Sequence, residues 1–240
     1  MDTLPAEPSL LLELGFVGLV ASLTSLLLVA VRRAASPKAA KLFAIAMFGT
    51  LGLSGALALT GALAFGPLPP PLMVLVTLIA GATFVFSRSR VGRSLARDMP
   101  LIGLVGFQAF RIPVELLLHR AHHEGVMPVQ MSYFGYNFDV VTGVSALVLF
   151  LVMLEGEVSP RLLLVWNWMG LALLVNVVTI AILSMPTPLQ VFFNKPSNVW
   201  VTTFPFVWLP AFLVPCALLG HLLLFRRLTT RRISVVPQAD

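Results

Sequence analysis

Residues 9–31 read SLLLELGFVGLVASLTSLLLVAV, and Glu13 is the one charged side chain within them. A helix needs about 20 mostly apolar residues to cross the hydrocarbon core of a bilayer. The apolar residues form a continuous run, whereas the strands of a membrane β-barrel alternate apolar and polar residues. This stretch therefore predicts a transmembrane α-helix.

The composition of the whole chain extends that prediction. Of its 240 residues, 58% are hydrophobic and 11% are charged, and the mean hydropathy is +0.95. Soluble domains carry about 45–50% apolar and about 25% charged residues, so the composition argues against a soluble domain. It also argues against disorder, which requires low hydrophobicity. We predict a single all-α transmembrane domain over residues 1–240.

Six further apolar segments follow the first one. Together they predict a polytopic membrane protein, a bundle of seven transmembrane helices. The predicted helices lie at about 9–31, 41–65, 72–87, 100–120, 139–155, 161–184 and 204–226.

Basic residues are concentrated in alternate connections, and such residues stay preferentially in the cytoplasm. They lie after segments one, three and seven: Arg32, Arg33, Lys38 and Lys41; Arg88, Arg90, Arg93 and Arg97; Arg226, Arg227, Arg231 and Arg232. This pattern predicts an outside N-terminus and a cytoplasmic C-terminus, with 227–240 as a basic cytoplasmic tail. The basic loops are expected to contact anionic lipid rather than nucleic acid. The long outer connections, 121–138 and 185–203, would form either an aromatic belt or a lid.

The fourth segment carries polar residues at helical spacing. Five of them share one helix face: Gln108, Arg111, Glu115, His119 and His122. Arg111 would lie about 17 Å from the start of the helix, near the middle of the bilayer. A charge at that depth is costly and is expected to face the bundle interior. Arg111 and Glu115, at i and i+4, are predicted to pair, either as a structural ion pair or as a binding or proton-handling site.

Three further polar residues could complete that site. Asn137 and Asp139 lie at the outer end of segment five, where either could also be an ordinary helix N-cap. Asn176 on segment six would lie about 22 Å from Arg161, at the level of Arg111. We predict Gln108, Arg111, Glu115, Asn137, Asp139 and Asn176 as ligand-binding residues.

No cofactor is expected, although a single metal ion remains an alternative. Glu115, His119 and His122 share a helix face, and zinc accepts such nitrogen and oxygen ligands. Asp139 or His123 could complete the metal shell.

A retinal Schiff base needs a lysine on a membrane helix, whereas Lys38, Lys41 and Lys195 lie in loops or at a helix edge. Haem is not expected either, because His119 and His221 lie at opposite faces of the membrane.

Three motifs carry a resemblance to known sequences. They are Gln108-x-x-Arg111-Ile-x-Val-Glu115, Asn137-Phe-Asp139 and Phe204-Pro-x-x-Trp208-Leu-Pro210. Over roughly residues 100–226 the chain resembles a group of uncharacterised bacterial multi-pass inner-membrane proteins. The resemblance implies a location in the bacterial inner (plasma) membrane and carries no activity with it.

We therefore expect an integral membrane protein that binds a small polar or anionic ligand in an outward-facing site between helices four and seven. It would be receptor-like, transport-related or an accessory subunit. Arg111 would be the charge partner of the ligand, and Glu115 would orient it or accept a proton. Gln108 and Asn176 would donate hydrogen bonds.

Two other functions stay open, and the sequence does not decide whether the protein is an enzyme. One is a membrane enzyme acting on a lipid or lipid-linked substrate, with Glu115 as its catalytic acid/base and His119 and His122 as metal ligands or proton shuttles. The other is a scaffold subunit with a buried Arg111–Glu115 pair, which would have a protein partner or form a homo-oligomer.

Overall fold

The computed structural model describes residues 6–66 and 68–233. The regular secondary structure of these residues is entirely helical. The α-helices are α1 (Leu10–Ala34), α2 (Pro37–Leu59), α3 (Pro71–Arg88), α4 (Arg90–Asp98), α5 (Leu101–Gly106), α6 (Arg111–His123), α7 (Val140–Glu155), α8 (Pro160–Leu183) and α9 (Val214–Ile233).

The predicted all-α fold is confirmed for the described residues. Six helical stretches are long and apolar enough to cross a membrane, namely α1, α2, α3, Leu101–His123, α8 and Leu209–Thr230. The predicted fifth segment corresponds to α7, which has 16 residues. Spanning helices have about 17–25 residues, so α7 is a shorter apolar helix.

Capping residues set where several helices begin. Ser9 caps α1, and Ser36 caps α2 by accepting the N–H of Ala39. Pro37 occupies the first position of α2, where its missing N–H costs nothing. The second helix therefore begins and ends earlier than the predicted segment 41–65.

Helix α4 lies in a stretch that the sequence analysis assigned to a basic loop. Its buried residues include Leu95 and Ala96, while Arg93 and Arg97 are exposed. It packs against α1, α3 and α9. The loop between the third and fourth segments is thus an amphipathic helix at one end of the bundle.

The chain between α5 and α6 is not α-helical. Phe107–Phe110 forms a 3₁₀ turn, and α6 begins at Arg111. Pro113 cannot donate an N–H four residues back to Ala109. Restarting the helix at Arg111 places this proline in a first turn, where it is tolerated.

The last long helix also begins later than predicted. The prediction was 204–226, but the chain enters a regular helix through a π-helical turn, Leu209–Leu213, and continues as α9 to Ile233. Pro210 lies inside the π-helical turn, and prolines lack the N–H that an α-helix would use. The predicted basic tail, 227–240, begins inside α9, and 234–240 lie outside the described residues.

Helix α7 begins halfway along the neighbouring helix. A Cβ atom at Gly143 would lie 3.2 Å from Cβ of Arg111, and one at Gly106 would lie 2.6 Å from Cδ2 of Phe150. Helix α7 therefore runs antiparallel to α5, from the level of Arg111 toward the end where α5 begins. Arg111 is about 15 Å along the axis from Leu101, near the middle of Leu101–His123.

The irregular segment 124–139 fills the remaining length beside α6. His119 stacks on Tyr133 with ring centroids 4.6 Å apart. Two hydrogen bonds farther along join Asn137 to Glu115. The segment thus runs back along α6 to the start of α7.

Candidate functional site

Arg111 is the largest fully buried side chain among the described residues, at 2% exposure. Its Nη1 donates to Oδ1 of Asp139 at 2.6 Å and to the carbonyl of Gly170 at 3.4 Å. Asp139 immediately precedes α7, and Gly170 lies on α8. The guanidinium therefore joins α6, α7 and α8.

The predicted pairing of Arg111 with Glu115 is wrong. Among the ion pairs of residues 6–66 and 68–233, the one that contains Arg111 joins it to Asp139, whereas Glu115 accepts hydrogen bonds from an amide. Nδ2 of Asn137 donates to both Glu115 oxygens, at 2.9 and 3.0 Å. Oδ1 of Asn137 accepts the backbone N–H of Asp139 at 3.0 Å. Asn137 therefore couples the two acidic residues through the irregular segment.

A second group of buried polar residues lies beside Arg111. Nε2 of Gln108 donates to the carbonyl of Ala217 at 3.1 Å. Asn167 and His221 approach each other at 2.7 Å between Oδ1 and Nδ1. These three side chains are fully buried. They tie α8 and the 3₁₀ turn to α9.

A cavity of about 310 Å³ lies next to Arg111. Its walls come from α3, α6, α8 and the region 209–217, with contributions from the two long connections. Three charged side chains line it, Arg111, Glu115 and Asp139, and Asn198 adds an amide. The other lining residues are almost all apolar. Ligand sites typically have volumes of about 300–1,000 Å³, apolar walls and a few polar groups.

Arg111 has donors that nothing in the described structure uses. Nε and Nη2 are buried without a hydrogen-bond partner. A buried donor that lacks a partner costs about 1–3 kcal/mol, and more when the group is charged. An oxygen-bearing ligand in the adjacent cavity would remove that cost.

The cavity lies within a part of the chain that the model of a protein family matches. The model of a family described as a domain of unknown function (DUF8737) matches residues 69–229. The chain belongs to this family. The part of the chain that matches DUF8737 contains α3 to α8 and most of α9, and hence every charged residue of the cavity. No curated protein and no solved structure matches the chain.

Asn176 lies apart from the charged group. Its Nδ2 donates to the carbonyl of Tyr136 at 2.8 Å, and Asn176 does not belong to the cavity wall. Gly170, whose carbonyl accepts a hydrogen bond from Arg111, lies six residues earlier on α8, about 9 Å along the helix axis. Asn176 instead contacts the irregular segment. The prediction that it joins the site of Arg111 is therefore wrong.

The two candidate metal ligands also lie elsewhere in this DUF8737 protein. His119 stacks on Tyr133, and Nδ1 of His122 lies 3.4 Å from the carbonyl of Met127. Within the described ranges, no three His, Cys, Asp or Glu side chains are arranged to hold a metal ion.

Sequence reasoning missed two contributors to the polar interior. His221 was placed near a membrane surface, but it is fully buried and packs against α8. Asn198 comes from the second long connection and reaches the cavity. Its amide donates to the carbonyl of Ala181 at 2.9 Å. An Asn in a loop carries no periodic signal that could have indicated this position.

Proposed function

We propose that this chain is an integral membrane protein that binds a small ligand through a polar or anionic group held by Arg111. It would act as a receptor, a transport-related protein or an accessory subunit. The observation that carries the proposal is the buried guanidinium beside a 310 Å³ cavity, with Nε and Nη2 lacking partners. A purely structural ion pair would not need a cavity beside it.

The proposed topology has seven crossings, with the N-terminus outside. Six crossings are the long apolar helices. The other is the irregular segment 124–139 followed by α7. Non-helical backbone is tolerated at membrane depth where protein buries it or where it lines a cavity. Met127, Met131 and Asn137 are buried in this segment, which supports the assignment.

Binding of three oxyanion probes to the purified protein tests the function. The probes are butyrate, inorganic phosphate and oleate, measured by native mass spectrometry from phosphatidylcholine nanodiscs. We expect at least one probe to bind one-to-one to the natural chain. The double variant Arg111→Met/Asp139→Asn should weaken binding about 10- to 100-fold, because it removes charge-assisted hydrogen bonds. Changing both partners avoids leaving a buried charge unpaired.

Asn167→Ala is the matched control. It also removes a buried polar contact, the one with His221, but Asn167 does not line the cavity. We expect this variant to be less stable and to keep its binding. Probe binding that is absent from the natural chain, or equal in the double variant, would overturn the proposed function.

A further inference from the structure

The exposure of its lining residues indicates that the cavity opens between α3 and α8. Its lining residues on α6 are buried, among them Val114 and Leu118. On α3 the lining residue Thr77 is exposed, and on α8 Val178 is half-buried. Both helices pack against α9, and the cavity occupies the interval between them.

The surface around this opening is apolar. Leu78, next to the opening on α3, is 66% exposed, and Val175 on α8 is 58% exposed. Both belong to helices that are long and apolar enough to cross a membrane. In the proposed topology the opening therefore faces the acyl chains of the bilayer rather than water.

The two long connections cover the end of the cavity. Met131 comes from the first connection and Val201 from the second, and both are buried in the cavity wall. Nε2 of Gln130 donates to Oγ of Ser184 at 3.0 Å. Nδ2 of Asn194 donates to Oε1 of Gln130 at 3.2 Å. The second bond joins the two connections, and the first joins the first connection to the end of α8. The side opening is therefore the more direct route to Arg111.

The unused edge of Arg111 favours one kind of chemical group. Nη1 is engaged by Asp139, and Nε and Nη2 are unpaired. The N–H bonds of Nε and Nη2 lie parallel along one edge of the planar guanidinium. Such an edge matches two oxygens of a carboxylate or phosphate. The free donors thus favour an oxyanion over a single carbonyl.

We propose that the ligand is a membrane-dissolved lipid with a single apolar chain and an oxyanion head, which enters sideways between α3 and α8. Its head binds the Nε–Nη2 edge of Arg111, and its chain lies along the apolar walls. This inference rests on the proposed function and specifies the ligand class. The apolar walls, the side opening and the unpaired edge each support it independently.

Three probes that differ in one feature each test the ligand class. Oleate has both the chain and the carboxylate, methyl oleate has the chain alone, and butyrate has the carboxylate with a short chain. In the nanodisc measurement we expect the apparent affinity for oleate to be about 100-fold higher than for butyrate, because the oleate chain leaves water for the bilayer and so concentrates oleate at the opening between α3 and α8. Methyl oleate should bind about tenfold more weakly than oleate, because it cannot form the charge-assisted pair.

Two tryptophan variants test the route. Val178→Trp would narrow the opening, whereas Val165→Trp places the same side chain at an exposed position of the same helix, about three turns away from the cavity. We expect Val178→Trp to weaken or slow oleate binding about tenfold, and Val165→Trp to leave it unchanged. Equal binding by the two variants would overturn access between α3 and α8.

The outcomes separate the inference from the proposed function. If butyrate or inorganic phosphate binds at Arg111 as tightly as oleate, the lipid inference is wrong and the proposed function stands. If methyl oleate binds as tightly as oleate, the inference that the ligand has an oxyanion head is wrong. If no probe shows a dependence on Arg111, both proposals fail.

Discussion

Gly170 marks a close approach between α8 and α9. A Cβ atom at this position would lie 2.6 Å from Cε1 of His221 and 2.8 Å from Cγ2 of Thr142. These neighbours are buried, and His221 is held by Asn167. Because the side chain of Gly170 is only a hydrogen atom, α7, α8 and α9 can pack closely together beside Arg111.

We expect Gly170→Ala to lower the free energy of unfolding by about 1–3 kcal/mol, because the added methyl group overpacks the contact. Gly52→Ala is the control, since nothing lies within 4 Å of its Cβ position. That variant should be unchanged or more stable by up to about 1 kcal/mol. Thermal unfolding in detergent measures both variants. Equal stability of the two would contradict the contact at Gly170.

Glu124 fastens the beginning of α1 to the end of α6. Its carboxylate accepts the backbone N–H of Ser9 at 2.8 Å, the Ser9 hydroxyl at 2.6 Å and Nε of Arg120 at 2.6 Å. Burial raises the pKa of Glu124, but the hydrogen bonds from Ser9 and Arg120 outweigh burial and hold the pKa below its ordinary value. The ionised form is therefore the one that stabilises the fold.

The sign of the resulting pH dependence follows from the lowered pKa. The stabilisation is complete above the unfolded-state pKa of about 4.3. It is lost as the pH falls from there through the lower pKa of the folded state. Glu124→Gln should lower the free energy of unfolding at pH 7 by about 1–3 kcal/mol. It should also remove part of the loss of stability below about pH 4.3. The measurement is the free energy of unfolding of both proteins as a function of pH. If the difference between them stays constant down to pH 3, the ionised carboxylate of Glu124 does not stabilise the fold.

At the scale of elements, one feature departs most from a simple helical bundle. The irregular segment 124–139 and helix α7 follow each other along the length of α6 and α5. An irregular chain needs partners for its backbone groups when water is excluded. The side chain of Asn137 supplies two of them, because its Oδ1 accepts the N–H of Asp139 and its Nδ2 donates to the carbonyl of Met131 at 3.0 Å. The position of Asp139, and hence the ion pair of Arg111, depends on this segment.

We expect Asn137→Ala to lower the free energy of unfolding by about 2–4 kcal/mol, because it leaves Glu115 and backbone groups without partners. Asn176→Ala is the matched control. It removes one hydrogen bond, to the carbonyl of Tyr136, and should cost about 1 kcal/mol. The comparison is again made by thermal unfolding. A larger loss in Asn176→Ala would show that Asn137 does not hold the segment.

At the scale of the whole molecule, the helices bring the basic segments together at one end. Val31 of α1, Leu95 of α4 and Leu228 of α9 belong to one buried apolar cluster. Arg226 donates to the carbonyl of Ser87, and Arg227 donates to the carbonyl of Arg97. The predicted orientation requires the basic segments to share one end of the bundle in this way, and it remains a prediction.

Labelling of single cysteines with a membrane-impermeant maleimide measures that orientation. The variants are built on Cys216→Ala, because Cys216 is the chain's one cysteine. Cysteines at exposed positions 60, 123 and 189 should label in intact cells, whereas those at 38, 93 and 157 should label only after lysis. If position 157 is labelled from outside, the assignment of 124–139 and α7 as one membrane crossing is wrong.

The polar face of the fourth predicted segment shows which side-chain positions helical periodicity can predict and which it cannot. Helical periodicity correctly placed Gln108, Arg111 and Glu115 in the buried interior. It could not place Asp139, because the irregular segment 124–139 has no period from which the position of a side chain can be read. The burial of Arg111 was therefore predicted correctly, whereas its partner was predicted incorrectly.

The amino-acid sequence by itself determined the all-α architecture and the buried polar face of α6. These properties depend on local composition and on a helix period of 3.6 residues, which any window of the chain displays. Only the tertiary structure decided that Arg111 pairs with Asp139, that α7 begins beside the middle of Leu101–His123, and that a cavity remains between α3 and α8. Those features depend on how distant segments pack, and packing joins residues such as Glu115 and Asn137 without any repeated spacing between them.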